Sequence, residues 1–230
     1  GPRLLAEWEA RYGMRVERDQ AGLLLGTTDA ARADALAAEA ADWAALGVAN
    51  AFLDGRQVAR HVAVPAGAYR GALLLRDGCT LNPLALSREL ARACVARGVA
   101  LYARTPVTAI LREAHGWRLQ TRRGSVRCRR LVLATDAYTR ALWPELAAAF
   151  TTWHVAVIAS APYAGLRELL PGGHPFADTG LANMFTLRGT SEQRLVTSTF
   201  APVRASLAPH AIARPFARRF AREFPGREPP

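Results

Sequence analysis

Apolar residues recur along this chain at two spacings, and the switches between them mark the elements. Leu4 to Tyr12 has helical spacing and stops at Gly13, a residue suited to a left-handed cap. Met14–Val16 and Leu23–Leu25 read as short strands around the turn-prone Asp19–Gly22. Thr27, Thr28 and Asp29 are N-cap types before an alanine-rich stretch that keeps Leu36, Ala40 and Trp43 on one face. A helix is therefore expected over Ala30–Leu46, closed by Gly47. Val48–Ala68 reads as irregular, with a turn at Asp54-Gly55. Tyr69–Leu75 predicts a strand. Asn82-Pro83 places a capping side chain before a proline whose missing N–H costs nothing at the first helical position. Leu86, Leu90 and Cys94 then recur every four residues, and Gly98 supplies the stop. With Val99–Ala103 as another strand, the order strand, helix, strand predicts a crossover onto a sheet.

Val107–Arg112, Trp117–Thr121 and Ser125–Cys128 alternate in the strand pattern and are joined at His115-Gly116 and Arg123-Gly124. They predict an antiparallel meander. Leu131-Val132-Leu133-Ala134 is uniformly apolar, as a strand covered on both faces would be. Ala137–Phe150 predicts a helix interrupted by Pro144. Val155–Ala159 predicts a strand, and Leu166–Leu170 a helical turn closed by Pro171-Gly172-Gly173. Asn183–Leu187 and Arg194–Phe200 predict a hairpin, and Ile212–Phe224 a basic helix with Phe216, Phe220 and Phe224 on one side. These elements together define an α+β protein.

Composition narrows the chemistry. The 230 residues suffice for a substantial core, and no apolar run approaches the ~20 residues of a membrane span. All 30 basic residues are arginine, and the net charge is +11. With no lysine, P-loop and Schiff-base mechanisms are excluded. The arginines are spread along the chain without interleaved aromatics, unlike a single-strand nucleic-acid platform. Cys79, Cys94 and Cys128 are too few and too widely spaced for a zinc site or a disulfide framework; reduced thiols in a cytoplasmic protein are expected. The five histidines form no H-E-x-x-H, and no G-x-S-x-G or G-x-G-x-x-G occurs. The opening Gly1-Pro2-Arg3 lacks an initiator methionine, so an excised piece of a longer protein is expected.

Several stretches carry a family resemblance in their order and spacing. They are Gly78-Cys79-Thr80-Leu81-Asn82-Pro83, Thr105-Pro106-Val107, Gly116-Trp117, Gly124-Ser125-Val126 and Leu131 through Thr139, followed by Leu170-Pro171 and Arg188 through Val196. Over residues 15–224 the chain resembles the D-amino-acid-oxidase-like (DAO) family of FAD-dependent oxidoreductases. It looks most like the branch of gamma-glutamylputrescine oxidoreductase and D-amino-acid dehydrogenase. Asp136 stands where the family's buried strand usually ends in glycine. The resemblance implies a mixed-sheet substrate domain from residues 1–77 and 151–230, and a partial FAD-binding domain, 78–150, of glutathione-reductase-like fold. The N-terminal strand, Gly-rich turn and helix that would hold the pyrophosphate are absent, as is the family's C-terminal glycine-rich segment. Hydride transfer from an amine-bearing carbon to FAD is the implied reaction, with an amine or amino acid as substrate. The isolated chain is expected to be inactive.

By the same resemblance Val107, Ala134, Thr135 and Asp136 would lie near FAD. Arg188 would pair with a substrate carboxylate, for which a planar guanidinium is suited. Tyr69, His154, Met184 and Phe185 are the pocket-lining candidates. Other readings stay open: Val107 as a strand core residue, Asp136 as a helix cap, His154 as a core histidine, and Arg188 as surface charge. A non-catalytic binding domain and a basic nucleic-acid-binding module are the alternative functions.

Overall fold

The computed structural model describes residues 1–178, 180, 185–200 and 209–230, with side chains for all of these except 209–212. The first elements are α1 (Pro2–Tyr12), β1 (Leu23–Thr27), α2 (Ala30–Ala45), β2 (Asn50–Asp54), α3 (Gly55–His61), β3 (Gly71–Leu75) and α4 (Pro83–Val95). Next come β4 (Val107–Glu113), β5 (Gly116–Thr121), β6 (Gly124–Cys128), a 3-10 turn over Asp136–Ala141, and α5 (Pro144–Ala147). The last are β7 (Val155–Pro162), α6 (Leu166–Leu169), β8 (Phe176–Asp178), β9 (Phe185–Gly189), β10 (Arg194–Phe200) and α7 (Pro209–Glu223). They gather into two units: Gly1–Leu90 with His154–Pro230, and Ala91–Trp153. Among the described residues no helix is long and apolar enough to cross a membrane.

The first unit is built on a mixed seven-stranded sheet in the order β2-β3-β1-β8-β9-β10-β7. Among the described residues only β1 and β8 pair in parallel there, Leu24 opposite Phe176 and Gly26 opposite Asp178. Alternation along the strands separates two faces. On one lie Leu24, Ala72, Leu74, Phe176, Phe185, Leu187 and Leu195, packed in one cluster with Val58 and Val62 around α3 and with the α7 phenylalanines. Phe216, Phe220 and Phe224 are all buried, and each contributes roughly 1.5–3 kcal/mol on an area basis. The other face carries α2: Leu36 and Ala40 pack on Leu73, with Leu25, Phe52, Leu75 and Trp43 alongside. A third cluster joins Leu5, Met14 and Val16 to Leu86 and Leu90 at the start of α4.

Local chemistry explains most boundaries. Gly13 ends α1 in the left-handed conformation at φ 60°. The Asp29 carboxylate caps α2 by accepting the Arg32 N–H at 2.7 Å. Asn82 Oδ1 accepts both the Leu84 and Ala85 N–H groups at 3.1 Å, fixing the start of α4.

Other expectations need correction. Val48–Ala68 is not irregular, since it holds β2 and α3. Asp54 begins a helix instead of a turn: its carboxylate accepts the Arg56 and Gln57 N–H groups, while Gln57 Oε1 accepts from the Asp54 N–H. Met14 and Val16 are buried, with Arg15 exposed between them, but the segment forms no strand. Strand β8, only three residues long, was not foreseen. In α4 it is Ala93 that is buried, and Cys94 is exposed.

The second unit centres on the meander β4-β5-β6, with Val107 opposite Thr121 and Trp117 opposite Cys128. Gly116 sits at φ 151°, where a Cβ would run into the Cys128 carbonyl, so the tight turn needs glycine. Arg112 stacks 4.6 Å over the Trp117 ring. Two expectations fail here. Val99–Ala103 is no strand, and Val99, Leu101 and Tyr102 are exposed, so α4 is not a strand-to-strand crossover. Leu131–Ala134 is neither a strand nor buried, and Val132 is 85% exposed. Its apolar side chains suit a central strand, yet no strand among the described residues pairs with it, and an unpaired backbone does not hold strand geometry in water.

Candidate functional site

Among the described residues, helix α2 covers only the β2-β3-β1 half of its face of the sheet. Across the junction that same face continues through Ala177, opposite Leu25, and then Thr186, opposite Ala177. It runs on through Arg188, opposite Val196, to Ser198, opposite Val157. These side chains are half-buried to exposed, and Val157 is 68% exposed. The Ser198 N–H donates to Thr186 Oγ1 at 2.8 Å, tying β10 to β9 across the shelf. The result is a half-open sheet surface of valines and small hydroxyls to which β9 adds one charge, Arg188.

The guanidinium of Arg188 reaches to one side of this shelf, where Nη1 donates to the Leu81 carbonyl at 2.8 Å. That bond uses one of its five N–H donors. The group lines an opening of about 700 Å³ together with Glu17, Asp19, Asn82, Arg167 and Thr190. The Asp19–Thr80 bridge and the Asn82 cap hold the facing wall in place. Arg18, also on that wall, is already neutralised by Glu9 at 2.6 Å. Among the described residues no carboxylate lies within ion-pair distance of Arg188. A free bidentate donor beside an apolar shelf is chemically suited to a carboxylate.

Tyr69 and Phe185 are brought together, but on the opposite face and under α7. Tyr69 is 1% exposed and its hydroxyl donates to Asp178 Oδ2 at 3.4 Å. Arg219 Nη2 donates to the same oxygen at 2.8 Å, and its guanidinium lies 4.5 Å above the Phe185 ring. The Gly180 N–H donates to Asp178 Oδ1 at 2.8 Å. Burial, and then the Asp178 and Glu223 carboxylates, push the Tyr69 hydroxyl well above its ordinary value. This buried cluster ties β8, the approach to β3 and α7 together and offers no open surface. Sequence reasoning missed Asp178 and Arg219, and no local signal links two residues so far apart in the chain.

The remaining candidates do not join either group. His154 is exposed just before β7, which overturns the core-histidine reading. Met184 lies outside the described residues. In the second unit, Val107 opens β4 half-buried, Thr135 is half-buried, and Ala134 and Asp136 are exposed. Asp136 adopts φ 43° and does not cap the 3-10 turn. Its carbonyl accepts from Thr139 Oγ1 at 2.7 Å, while the hydroxyls of Thr135 and Thr139 lie 2.8 Å apart. Val107, Ala134, Thr135 and Asp136 all lie in the Ala91–Trp153 unit. No two glycines of the chain are separated by a single residue, so a G-x-G turn that would let backbone N–H groups close on a pyrophosphate is missing from these residues.

Comparison with curated proteins finds no match. Among solved structures, glycine oxidase from Geobacillus kaustophilus is 22% identical at a TM-score of 0.69, the match covering 97% of this chain and 60% of that one. L-proline dehydrogenase from P. horikoshii reaches a TM-score of 0.75 at 15% identity, with the same coverage of 97% and 60%. L-amino acid deaminase from Proteus vulgaris, with its specific insertion sequence deleted, gives 0.66 at 15% identity over 97% and 58%. At such identities the likeness speaks for the fold. The chain spans about 60% of the length of the first two structures. A family model described as FAD dependent oxidoreductase (DAO) matches residues 1–228. The chain belongs to the DAO family of FAD-dependent oxidoreductases.

Proposed function

We propose that this chain carries the substrate-facing sheet of an enzyme that oxidises the C–N bond of an amino acid or amine, with FAD as hydride acceptor. The flavin would be held largely by residues beyond those of this chain, and the chain alone is inactive. Residues 1–77 and 151–230 form the substrate domain in this reading, and 78–150 the flavin side. We assign the enzyme to the gamma-glutamylputrescine oxidoreductase and D-amino-acid dehydrogenase-like branch, on the Ala134-Thr135-Asp136 sequence. Its place of work is the bacterial cytoplasm, where Cys79, Cys94 and Cys128 stay reduced.

The observation that carries the reading is the half-open sheet face with Arg188 at its side. Arg188 binds the substrate carboxylate through the donors that Leu81 leaves free. Val157, Val196, Thr186 and Ser198 form a shelf that excludes water from the bound amine. A hydrogen bond to a charged group contributes about 1.5–3 kcal/mol. In the full-length, FAD-bound protein, Arg188→Ala is expected to lower kcat/KM for carboxylate-bearing amines by roughly 10- to 150-fold, mostly through KM. Amines without a carboxylate should change little, and Arg188→Lys should recover part of the loss. An equal loss for both substrate types would remove Arg188 from carboxylate binding. Failure of the FAD-bound protein to oxidise any amine or amino acid would remove the whole reading.

A further inference from the structure

We propose that His61 and His174 form a pH-sensitive clasp on the wall of the Arg188 opening, closed while the His61 ring is neutral and loosened when that ring takes up a proton. His61 ends α3, and His174 lies in the segment Gly172–Pro175 that leads into β8. Their ring centroids are 5.2 Å apart with the planes tilted by 31°. Gly173 and Pro175, on either side of His174, line the opening.

Three contacts make the pair a fastening. His174 Nδ1 meets the Ala21 carbonyl; a carbonyl only accepts, so that nitrogen carries the proton. The bond ties the Gly172–Pro175 segment to the approach of β1, two residues from the pocket-lining Asp19. On the other side the Gly172 N–H donates to the His61 carbonyl at 3.3 Å, and the Ala63 N–H to the Leu169 carbonyl at 2.9 Å. Gly172 packs so closely on the His61 ring that a Cβ there would overlap Nδ1. His61 Nδ1 is itself buried without a hydrogen-bond partner.

Protonation strains this arrangement. It would place an N–H donor on the buried, unpartnered Nδ1 and a charge beside its neighbours. The groups facing His61 are His174, from the β8 approach, and Arg76, after β3, and neither can offset a positive charge. Burial first, then His174 and Arg76, lower the proton affinity of His61 below its ordinary 6.5. The unfolded chain therefore takes up this proton at a higher pH than the folded one. The clasp's stability is complete above about 6.5 and is lost as the pH falls from there through the folded value.

The consequence for turnover rests on the proposed role of the Arg188 opening, but the clasp itself is read without turnover. Amide hydrogen exchange of the 230-residue chain, corrected for intrinsic rates, is followed from pH 8 to 5 alongside NMR titration of the histidine rings. Exchange at Gly172 and Ala63 is expected to accelerate as His61 titrates, while Leu74 in β3 stays protected. His61→Phe, which keeps the ring volume and removes the charge, should flatten that step. If His61→Phe does not fold, His61→Gln, which also removes the titrating ring, replaces it. Flat exchange through the His61 titration overturns the clasp, as does a step that survives unchanged in the variants.

Discussion

Tyr69 shows what a residue contributes when its surroundings are fixed from three directions. Its ring meets Phe176 edge-on at 5.0 Å while its hydroxyl points at a carboxylate already engaged by Arg219. The neutral phenol is held strongly, so the folded chain keeps a proton that the unfolded chain loses near its ordinary value of 10.0. That contribution is present below pH 10 and disappears as the pH climbs beyond it. Urea midpoints measured from pH 8 to 11 should fall above pH 10, and Tyr69→Phe should make the fall shallower. At this scale the sequence was only partly legible. The position of Arg188 in a hairpin could be read from Arg194–Phe200 and the turn before it. Strand alternation alone sets Phe185 and Arg188 on opposite faces, but which of them lies under α7 required the pairing register, and the Asp178–Arg219 contact joins residues that no spacing rule connects.

At the scale of elements, those whose start and stop are chemically written were foreseen. Asn82-Pro83 is an example: the amide oxygen collects two N–H groups and the proline fits the first turn. Asn82→Ala should lower stability by about 1 kcal/mol, read as a shift in urea midpoint with unchanged slope. The meander was legible because each of its turns is local, and the α7 phenylalanines because they recur every four residues. The misses have a common origin. Asp54-Gly55 suits both a turn and a cap, and only Gln57, three residues on, decides between them. Leu131–Ala134 states what a central strand contains without supplying the neighbours that a strand requires.

Taken whole, the molecule divides its apolar surface unevenly. The unit built on the mixed sheet holds most of the buried core, whereas Val132 and Tyr138 in the Ala91–Trp153 unit are each 85% exposed. Val132→Ser should accordingly shift the stability of this 230-residue chain by less than about 0.5 kcal/mol, as for an ordinary surface position. A larger loss in urea unfolding would mean that the run is paired in solution. The sheet itself carries a different consequence. Its two halves meet along the β1–β8 ladder, where Leu24 must find Phe176 some 150 residues later in the chain. Contacts of such separation form late, because a long loop has to close before they stabilise anything. During synthesis β1, β2, β3 and α2 leave the ribosome with one sheet edge unsatisfied, and they wait through the whole Ala91–Trp153 segment for β8 to arrive. That exposed edge of Leu23–Thr27 is where a growing chain of this protein would most easily pair with the wrong neighbour.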